Sequence, residues 1–362
     1  MVCYAVLPHS LRQARMIQTL QSLRFVFIML IVVSHIIGKS FDFGGECGVS
    51  FFFMLSGFVL TLAYGRKVTE ESFHTRQFML RQLLKFYPLH LLMLVVFVVL
   101  DARLGQYYDW QHLVPNILLL QSWIPYDEYF FVANGSSWFL CDILFFYLVF
   151  SLAYRVLNGL RMTHLLLLGT AVMMAYGWLA YSIPLWRVNS ILYASPATRL
   201  IDFCMGILLC RLFLSDTGKA WGNRIMEATT TTATSWEVRL VVLLVISFFA
   251  YQSMTLRLRC AALFWLVIPP ILLYFAMSDK YGGRITRLLR HPVLLWCAGI
   301  SLEIYLTHML VFRIVDSLMA AVGIEQGVTT AAVGLVVLFP VAWLTKRFFV
   351  DKIYVSLIKY VE

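Results

Sequence analysis

The chain has 362 residues, of which 61% are hydrophobic and 13% charged. No soluble domain of this length could bury so much apolar side chain, so the composition excludes a soluble enzyme and predicts an all-α, polytopic membrane protein. The net charge of +10 does not require a nucleic-acid partner, because the cytoplasmic loops of membrane proteins carry an excess of Lys and Arg.

Apolar segments of near-spanning length recur along the whole chain and predict about ten transmembrane helices. They lie at 19–38, 48–65, 84–101, 137–157, 163–181, 199–214, 238–255, 260–277, 293–313 and 328–345. With a cytoplasmic N-terminus, 22 of the 29 Lys and Arg residues fall on the inner side and seven on the outer. This asymmetry predicts that both termini are cytoplasmic. We expect one integral-membrane domain over 1–362, with a cytoplasmic segment at 1–18 and a cytoplasmic basic tail at 346–362.

Two predicted loops are long. The outer loop, 102–136, contains an apolar piece, and we expect it to lie in the membrane interface or to fold over an external cavity. The inner loop, 215–237, contains a Thr-rich run that is typical of a flexible connector. No internal repeat is visible, which disfavours an inverted-repeat transporter.

The first span carries an arginine and a histidine, Arg24 and His35. Eleven residues are close to three helical turns, so the two side chains share one face of the helix, roughly 16 Å apart along its axis. The predicted topology places Arg24 near the inner surface and His35 in the outer half. An ionisable group within a membrane helix is costly and usually marks a function.

Other ionisable residues fall at the same two depths. The outer group comprises His35, Asp142, Arg199, Asp202 and His308, and an inner cationic rim comprises Arg24, Arg81 and Lys85. A neutral imidazole can accept a proton from a hydroxyl, and a carboxylate nearby would orient it. Cations suit a phosphate-bearing ligand. The two groups together predict transfer from a phosphorylated carrier to a hydroxyl acceptor.

Structural roles compete with this interpretation. A histidine within a membrane helix can equally serve as a hydrogen bonder between helices, so both roles stay open for His308. Arg199 and Asp202 are three residues apart, and such a pair could neutralise itself. Glu46 is a candidate second acid at the outer mouth of the second span, although a solvated loop carboxylate is the simpler interpretation. Gly48, Ser56 and Gly57 of that span favour close helix packing.

Several motifs in order resemble the integral-membrane acyltransferase-3 family over nearly the whole chain. They are Arg24…His35; Gly48-Val49-Ser50-x-Phe52-Phe53-x-Leu55-Ser56-Gly57-Phe58; Arg81…Lys85-Phe-Tyr-Pro88; Ser137-Trp138…Phe146-Tyr147; Ser195-Pro196…Arg199…Asp202-Phe203…Gly206; and His291-Pro292…Gly299-Ile300-Ser301-Leu302-Glu303-Ile304-Tyr305-Leu306-x-His308. The sequence departs from the family in two places. Gln82 and Lys85 stand where paired arginines are frequent, and Ile143 stands where a glutamate is frequent, with Asp142 beside it.

The resemblance implies a multi-pass O-acyltransferase of the bacterial inner membrane. It implies an acyl-CoA donor, most commonly acetyl-CoA, and a hydroxyl of a surface polysaccharide or lipid-linked sugar as the acceptor. Carried over residue by residue, the resemblance gives His35 as the base and Arg24 as a donor-binding group. Together with the residues singled out above, the expected site comprises catalytic His35, Asp142 and His308; donor-binding Arg24, Arg81 and Lys85; and substrate-binding Glu46, Ser56, Arg199 and Glu303. No metal and no nucleic acid are expected; the bilayer is the expected surrounding, and a homo-oligomer is left open.

Two other functions are compatible with the same residues. A transporter or exporter would also carry buried Asp, Glu and His, but broken helices and internal symmetry would be expected with them. An inactive family member that acts as a structural subunit would account for the two departures.

Overall fold

The computed structural model describes residues 17–37 and 44–361, and these residues form helices and no strand. The predicted N-terminal segment, 1–18, lies almost entirely outside the described residues. The α-helices, in chain order, are α1 (Gln18–Ile37), α2 (Gly45–Thr69), α3 (Thr75–Arg103), α4 (Trp110–Ile117), α5 (Asp127–Phe130), α6 (Trp138–Gly159), α7 (Met162–Ser182), α8 (Pro196–Leu214), α9 (Asp216–Glu227), α10 (Thr230–Ser253), α11 (Leu256–Arg259), α12 (Phe264–Ser278), α13 (Arg284–Leu289), α14 (Pro292–Gly299), α15 (Ser301–Ala321), α16 (Val328–Thr345) and α17 (Asp351–Ile358).

Within the described residues, nine helical segments are long and apolar enough to cross a membrane. The chain is therefore a polytopic, all-helical membrane protein, as the composition predicts. The predicted span at 199–214 forms helix α8 but is not among the nine. It carries three charged side chains, Arg199, Asp202 and Arg211, which lower its hydropathy although the helix has 19 residues.

Contacts between helix ends define two opposite sides of the bundle. On the first side, where α1 begins, Asp279 after α12 accepts a hydrogen bond from the Thr19 backbone N–H at 2.8 Å. On the second side, where α2 begins, Tyr251 near the end of α10 donates to Glu46 at 2.8 Å. Successive long helices alternate between these sides, which agrees with the order of the predicted spans.

Helix α2 is the most deeply buried of the long helices and lies at the centre of the bundle. A Cβ atom on Gly57 would collide with the Phe203 carbonyl of α8, and one on Gly206 would collide with the Met54 carbonyl of α2. The Cβ of Gly48 would likewise overlap Ile31 of α1. These glycines therefore allow the backbones of α1, α2 and α8 to approach closely, which confirms the predicted packing role of Gly48 and Gly57.

The structure corrects two predictions about segments. The predicted connector 215–237 is helical, because Ser215 and Thr229 cap the starts of α9 and α10 by accepting hydrogen bonds from backbone N–H groups. The ninth predicted span is broken at Ile300 into α14 and α15, and it continues to Ala321. The residues of the expected tail are helical: α16 continues through a π-helical turn, Lys346–Val350, into α17.

The long loop after α3 folds against the helices. The imidazole of His90 lies 2.9 Å from the Asn116 carbonyl oxygen of α4. The Asn134 amide donates to the Leu306 carbonyl of α15 at 3.0 Å. Phe131, Gly135 and Ser136 of the loop form part of the wall of a cleft described below. Of the two predicted arrangements, the structure agrees with folding over a cavity.

Candidate active site

Arg24 and His35 open onto two different but adjoining spaces. The first, which we call the Arg24 pocket, has an empty volume of about 750 Å³ and is lined by apolar side chains together with Arg24, Ser56 and Ser301. The second, the His35 cleft, has an empty volume of about 850 Å³ and is lined by His35, Glu46, Ser136, Asn189 and other polar groups. Ile31 and Tyr305 line both, so the two spaces meet at these side chains.

The geometry of α1 accounts for this arrangement. Arg24, Ile31 and His35 are spaced by seven and four residues, so they lie along one face of the helix. Arg24 is buried, and its Nη1 donates to Gln21 at 3.0 Å. His35 is exposed within the cleft at the other end. Arg24 and His35 therefore lie at opposite ends of this face, with Ile31 between them where the two spaces adjoin.

His35 is paired with His308 of α15. The His35 Nδ1 and His308 Nε2 atoms are 3.2 Å apart. His308 is fully buried, and its Nδ1 lies 2.6 Å from the Tyr305 carbonyl oxygen. Two histidines that are 273 residues apart in sequence thus form one hydrogen-bonded chain.

The Tyr305 carbonyl sets the direction of this chain. A carbonyl oxygen can only accept, so His308 Nδ1 must carry the proton. In a neutral imidazole the other nitrogen then accepts, and His308 Nε2 receives the Nδ1–H of His35. Nε2 of His35 is left as the nitrogen with the basic lone pair. This arrangement resembles the role of the carboxylate in a catalytic triad, with a second imidazole as the orienting group.

The remaining members of the predicted outer group lie in a separate cluster. Arg199 and Asp202 are completely buried and form an ion pair at 3.4 Å. Arg199 also donates to Ser50 Oγ at 2.9 Å and to the Cys260 carbonyl at 3.0 Å. Asp202 accepts from Trp265 at 3.0 Å. Asp142 is also buried, within electrostatic range of both Arg199 and Asp202, and it lines neither the Arg24 pocket nor the His35 cleft.

Two predicted carboxylates have different surroundings. Glu46 lines the His35 cleft and accepts a hydrogen bond from the Tyr251 hydroxyl. Glu303 is buried one turn after the break at Ile300, and its Oε1 lies 3.7 Å from Nζ of Lys346. Lys346 lies in the π-helical turn and also pairs with Asp351 at 3.2 Å. Glu303 therefore ties α15 to the end of α16.

The predicted cationic rim lies on the first side, near the start of α3. Lys85 is buried, and its Nζ donates to Gln82 at 3.3 Å, whereas Arg81 is half-buried. Of the three rim residues, only Arg24 lines the Arg24 pocket.

Sequence reasoning missed the residues that shape the space between Arg24 and His35. Tyr305 separates the two volumes, and its hydroxyl donates to the Ser136 carbonyl of the long loop at 2.8 Å. Trp138 and Tyr193 line the cleft beside it and pack ring against ring, with centroids 4.8 Å apart. Tyr305 and Trp138 both belong to the family motifs given above. A motif in the sequence does not show, however, which of its side chains line a common cavity.

Comparison with known proteins identifies the family of the chain. The model of the acyltransferase-3 family, described as an acyltransferase domain, matches residues 17–347. The chain therefore belongs to this family and is an acyltransferase that transfers groups other than aminoacyl groups. It is also 27% identical, over 312 residues, to the protein named acyltransferase MdmB of Streptomyces mycarofaciens, covering 81% of this chain and 75% of that protein. No solved structure matches.

Proposed function

We propose that the protein is an O-acyltransferase of the bacterial inner membrane that moves an acyl group from acyl-CoA to a carbohydrate hydroxyl. The observation that carries the proposal is the junction of the Arg24 pocket and the His35 cleft at Ile31 and Tyr305. An anion-binding group at one end and a base at the other suit a donor and an acceptor that approach from opposite ends.

The Arg24 pocket suits the donor. Arg24 and the nearby Lys85 and Arg81 offer positive charge to the phosphates of CoA at the first side. The apolar walls beyond Arg24 suit the pantetheine arm, which would carry the thioester toward Ile31. We assign the first side to the cytoplasm, where CoA is available, with both termini on that side; the charge asymmetry of the loops supports this orientation. Helix α8 then serves as a tenth span. We take acetyl-CoA as the reference donor.

The His35 cleft suits a sugar. Its wall combines aromatic rings, Trp138 and Tyr193, with hydrogen-bonding groups from Glu46, Ser136 and Asn189. Aromatic faces pack against the apolar faces of sugar rings while the polar groups bind hydroxyls. We therefore propose a hydroxyl of a surface polysaccharide or lipid-linked sugar as the acceptor.

The chemical step follows from the hydrogen-bonded histidines. Nε2 of His35 accepts the proton of the acceptor hydroxyl while the oxygen attacks the thioester carbonyl carbon. The new C–O bond forms, the C–S bond breaks, and the thiolate of CoA leaves. The imidazolium of His35 then returns the proton to that thiolate. His308 holds the ring of His35 in the required orientation throughout.

The test is the His35→Ala variant, compared with His164→Ala, an exposed histidine of α7 that lines neither space. Membranes with matched protein levels are given radiolabelled acetyl-CoA, and label in the envelope carbohydrate and release of free CoA are measured. We expect His35→Ala to lose about 100-fold to 10,000-fold in rate and His164→Ala to match wild type. Wild-type rates in His35→Ala would place the base elsewhere. A well-folded wild type that neither transfers label nor releases CoA would exclude acetyl-CoA as the donor.

A further inference from the structure

A pocket of about 900 Å³ empty volume lies on the first side, between α9, α10 and α12. It shares no lining residue with the Arg24 pocket or the His35 cleft. Helix α12 stands between them, because its Phe275 carbonyl and the following Asp279 bind Thr19 of α1, whereas Tyr274 and Met277 line this pocket. The pocket is therefore separate from the proposed site.

The interior of this pocket is aromatic and apolar. Trp221, Trp236 and Tyr274 line it together with aliphatic side chains. Trp236 and Tyr274 meet edge to face, with ring centroids 6.5 Å apart, and the Tyr274 hydroxyl donates to the Ala233 carbonyl at 3.1 Å. Tryptophan and tyrosine concentrate where a membrane helix meets the water interface. The residues of α10 that follow, including Val241 and Val242, are exposed, as expected of a lipid-facing helix.

Two arginines complete the lining, Arg224 from α9 and Arg239 from α10. Both are exposed, and among the described residues neither forms an ion pair. Glu237, the carboxylate nearest to Arg239 in sequence, is buried and engaged elsewhere. It accepts hydrogen bonds from the backbone N–H groups of Gly283 and Ile285 and from the Thr286 hydroxyl. The two guanidinium groups can therefore bind an anion at a pocket whose other side chains are aromatic or apolar.

We propose that this pocket binds a phospholipid with an anionic head group. The guanidinium groups of Arg224 and Arg239 hold the phosphate through charge-assisted hydrogen bonds, and the acyl chains lie against Leu240 and Leu273. Charge complementarity selects an anionic over a zwitterionic lipid, and the interfacial position of the aromatic rings matches the depth of a head group. Helix α12 separates the pocket from the Arg24 pocket, and the two share no lining residue, so the lipid site is distinct from the proposed donor site.

The experiment measures lipid binding to the full-length protein. Purified protein is titrated with phosphatidylglycerol or phosphatidylcholine in detergent, and bound lipid is counted by native mass spectrometry alongside thermal unfolding. We expect preferential binding and stabilisation by phosphatidylglycerol. The double variant Arg224→Gln/Arg239→Gln should bind phosphatidylglycerol about thirtyfold more weakly, since each cation near an anionic lipid contributes roughly a factor of five.

Two control variants make the result decisive. Arg155→Gln removes an exposed cation of α6 that does not line the pocket, and it should bind as wild type does. Arg224→Lys/Arg239→Lys keeps both charges and should restore most of the preference. Any of three results would overturn the proposal. They are equal binding of the two lipids, a loss of phosphatidylglycerol binding in Arg155→Gln as large as in the double variant, and displacement of phosphatidylglycerol by CoA. Acyl transfer by the double variant in detergent is expected to be unchanged. A failed prediction of lipid binding can therefore be distinguished from a failed prediction of acyl transfer.

Discussion

The two polar clusters within the bundle differ in how far their groups already bind one another. Around Arg199, the side chains of Ser50, Asp202 and Trp265 satisfy one another, and the guanidinium lies 5.1 Å from the ring centroid of Phe53. Around His35, by contrast, a short chain of hydrogen bonds ends in a side chain exposed to a cleft. An intramembrane charge therefore indicates function only when it faces a space that another molecule can enter. The Arg199 cluster lines neither the Arg24 pocket nor the His35 cleft, and it stabilises the fold.

The largest expected effect is the loss of folded protein on disrupting the Arg199 cluster. Arg199→Ala leaves Asp202 buried without its ion-pair partner, which costs about 3–5 kcal/mol. We expect little protein to accumulate in membranes, measured by immunoblot and by thermal unfolding of the remainder. Arg66→Ala is the matched control, because its ion pair with Glu70 is exposed and its loss should not change the protein level. If the Arg199→Lys protein is stable and only its KM for the acceptor is raised, Arg199 belongs to the substrate-binding site.

The next largest effect is expected at His308. His308→Ala removes the group that orients His35, and misplacement of a catalytic group costs on the order of 100-fold in kcat. The KM for acetyl-CoA should change little, because His308 lies away from the Arg24 pocket. His308→Gln can still accept from His35 and should recover part of the rate. A normal kcat in His308→Ala would reduce His308 to a packing residue.

A smaller effect is expected at the donor end. Arg24→Gln should raise the KM for acetyl-CoA about thirtyfold, since a charge-assisted hydrogen bond contributes roughly 2 kcal/mol, with kcat much less affected. Lys85→Gln should act in the same direction and more weakly, because Lys85 does not line the pocket. Steady-state kinetics with varied acetyl-CoA measure both. A raised KM for the acceptor, with the donor KM unchanged, would contradict the assignment of the two ends.

The smallest effect is expected at the mouth of the His35 cleft. Tyr251→Phe removes the hydroxyl that donates to Glu46 but keeps the ring, so Glu46 becomes less constrained. A neutral hydrogen bond contributes about 1 kcal/mol and one to a charged group up to roughly 3. We expect a severalfold change in the acceptor KM and an unchanged donor KM. An effect as large as that of His308→Ala would instead make Tyr251 and Glu46 part of the catalytic arrangement.

Helical patterns were predictable because they depend on neighbours in sequence. The apolar runs placed most of the long helices, and the spacing of Arg24 and His35 placed both on one face of α1. The Thr-rich run was misread, because the composition of 228–235 suggests a connector whereas the caps at Ser215 and Thr229 start helices. The break at Ile300 was also missed, since hydropathy is continuous across it.

The sequence by itself determined that this is a helical membrane protein with a basic rim and ionisable groups inside its spans, since periodicity and hydropathy are local properties. Only the tertiary structure decided which of those groups act together. His35 meets His308 rather than Asp142 because α1 and α15 pack side by side, while α8 directs Arg199 and Asp202 into the buried cluster beside α2. Contacts between residues that are far apart in sequence depend on how helices cross, and a single chain's pattern does not contain that information.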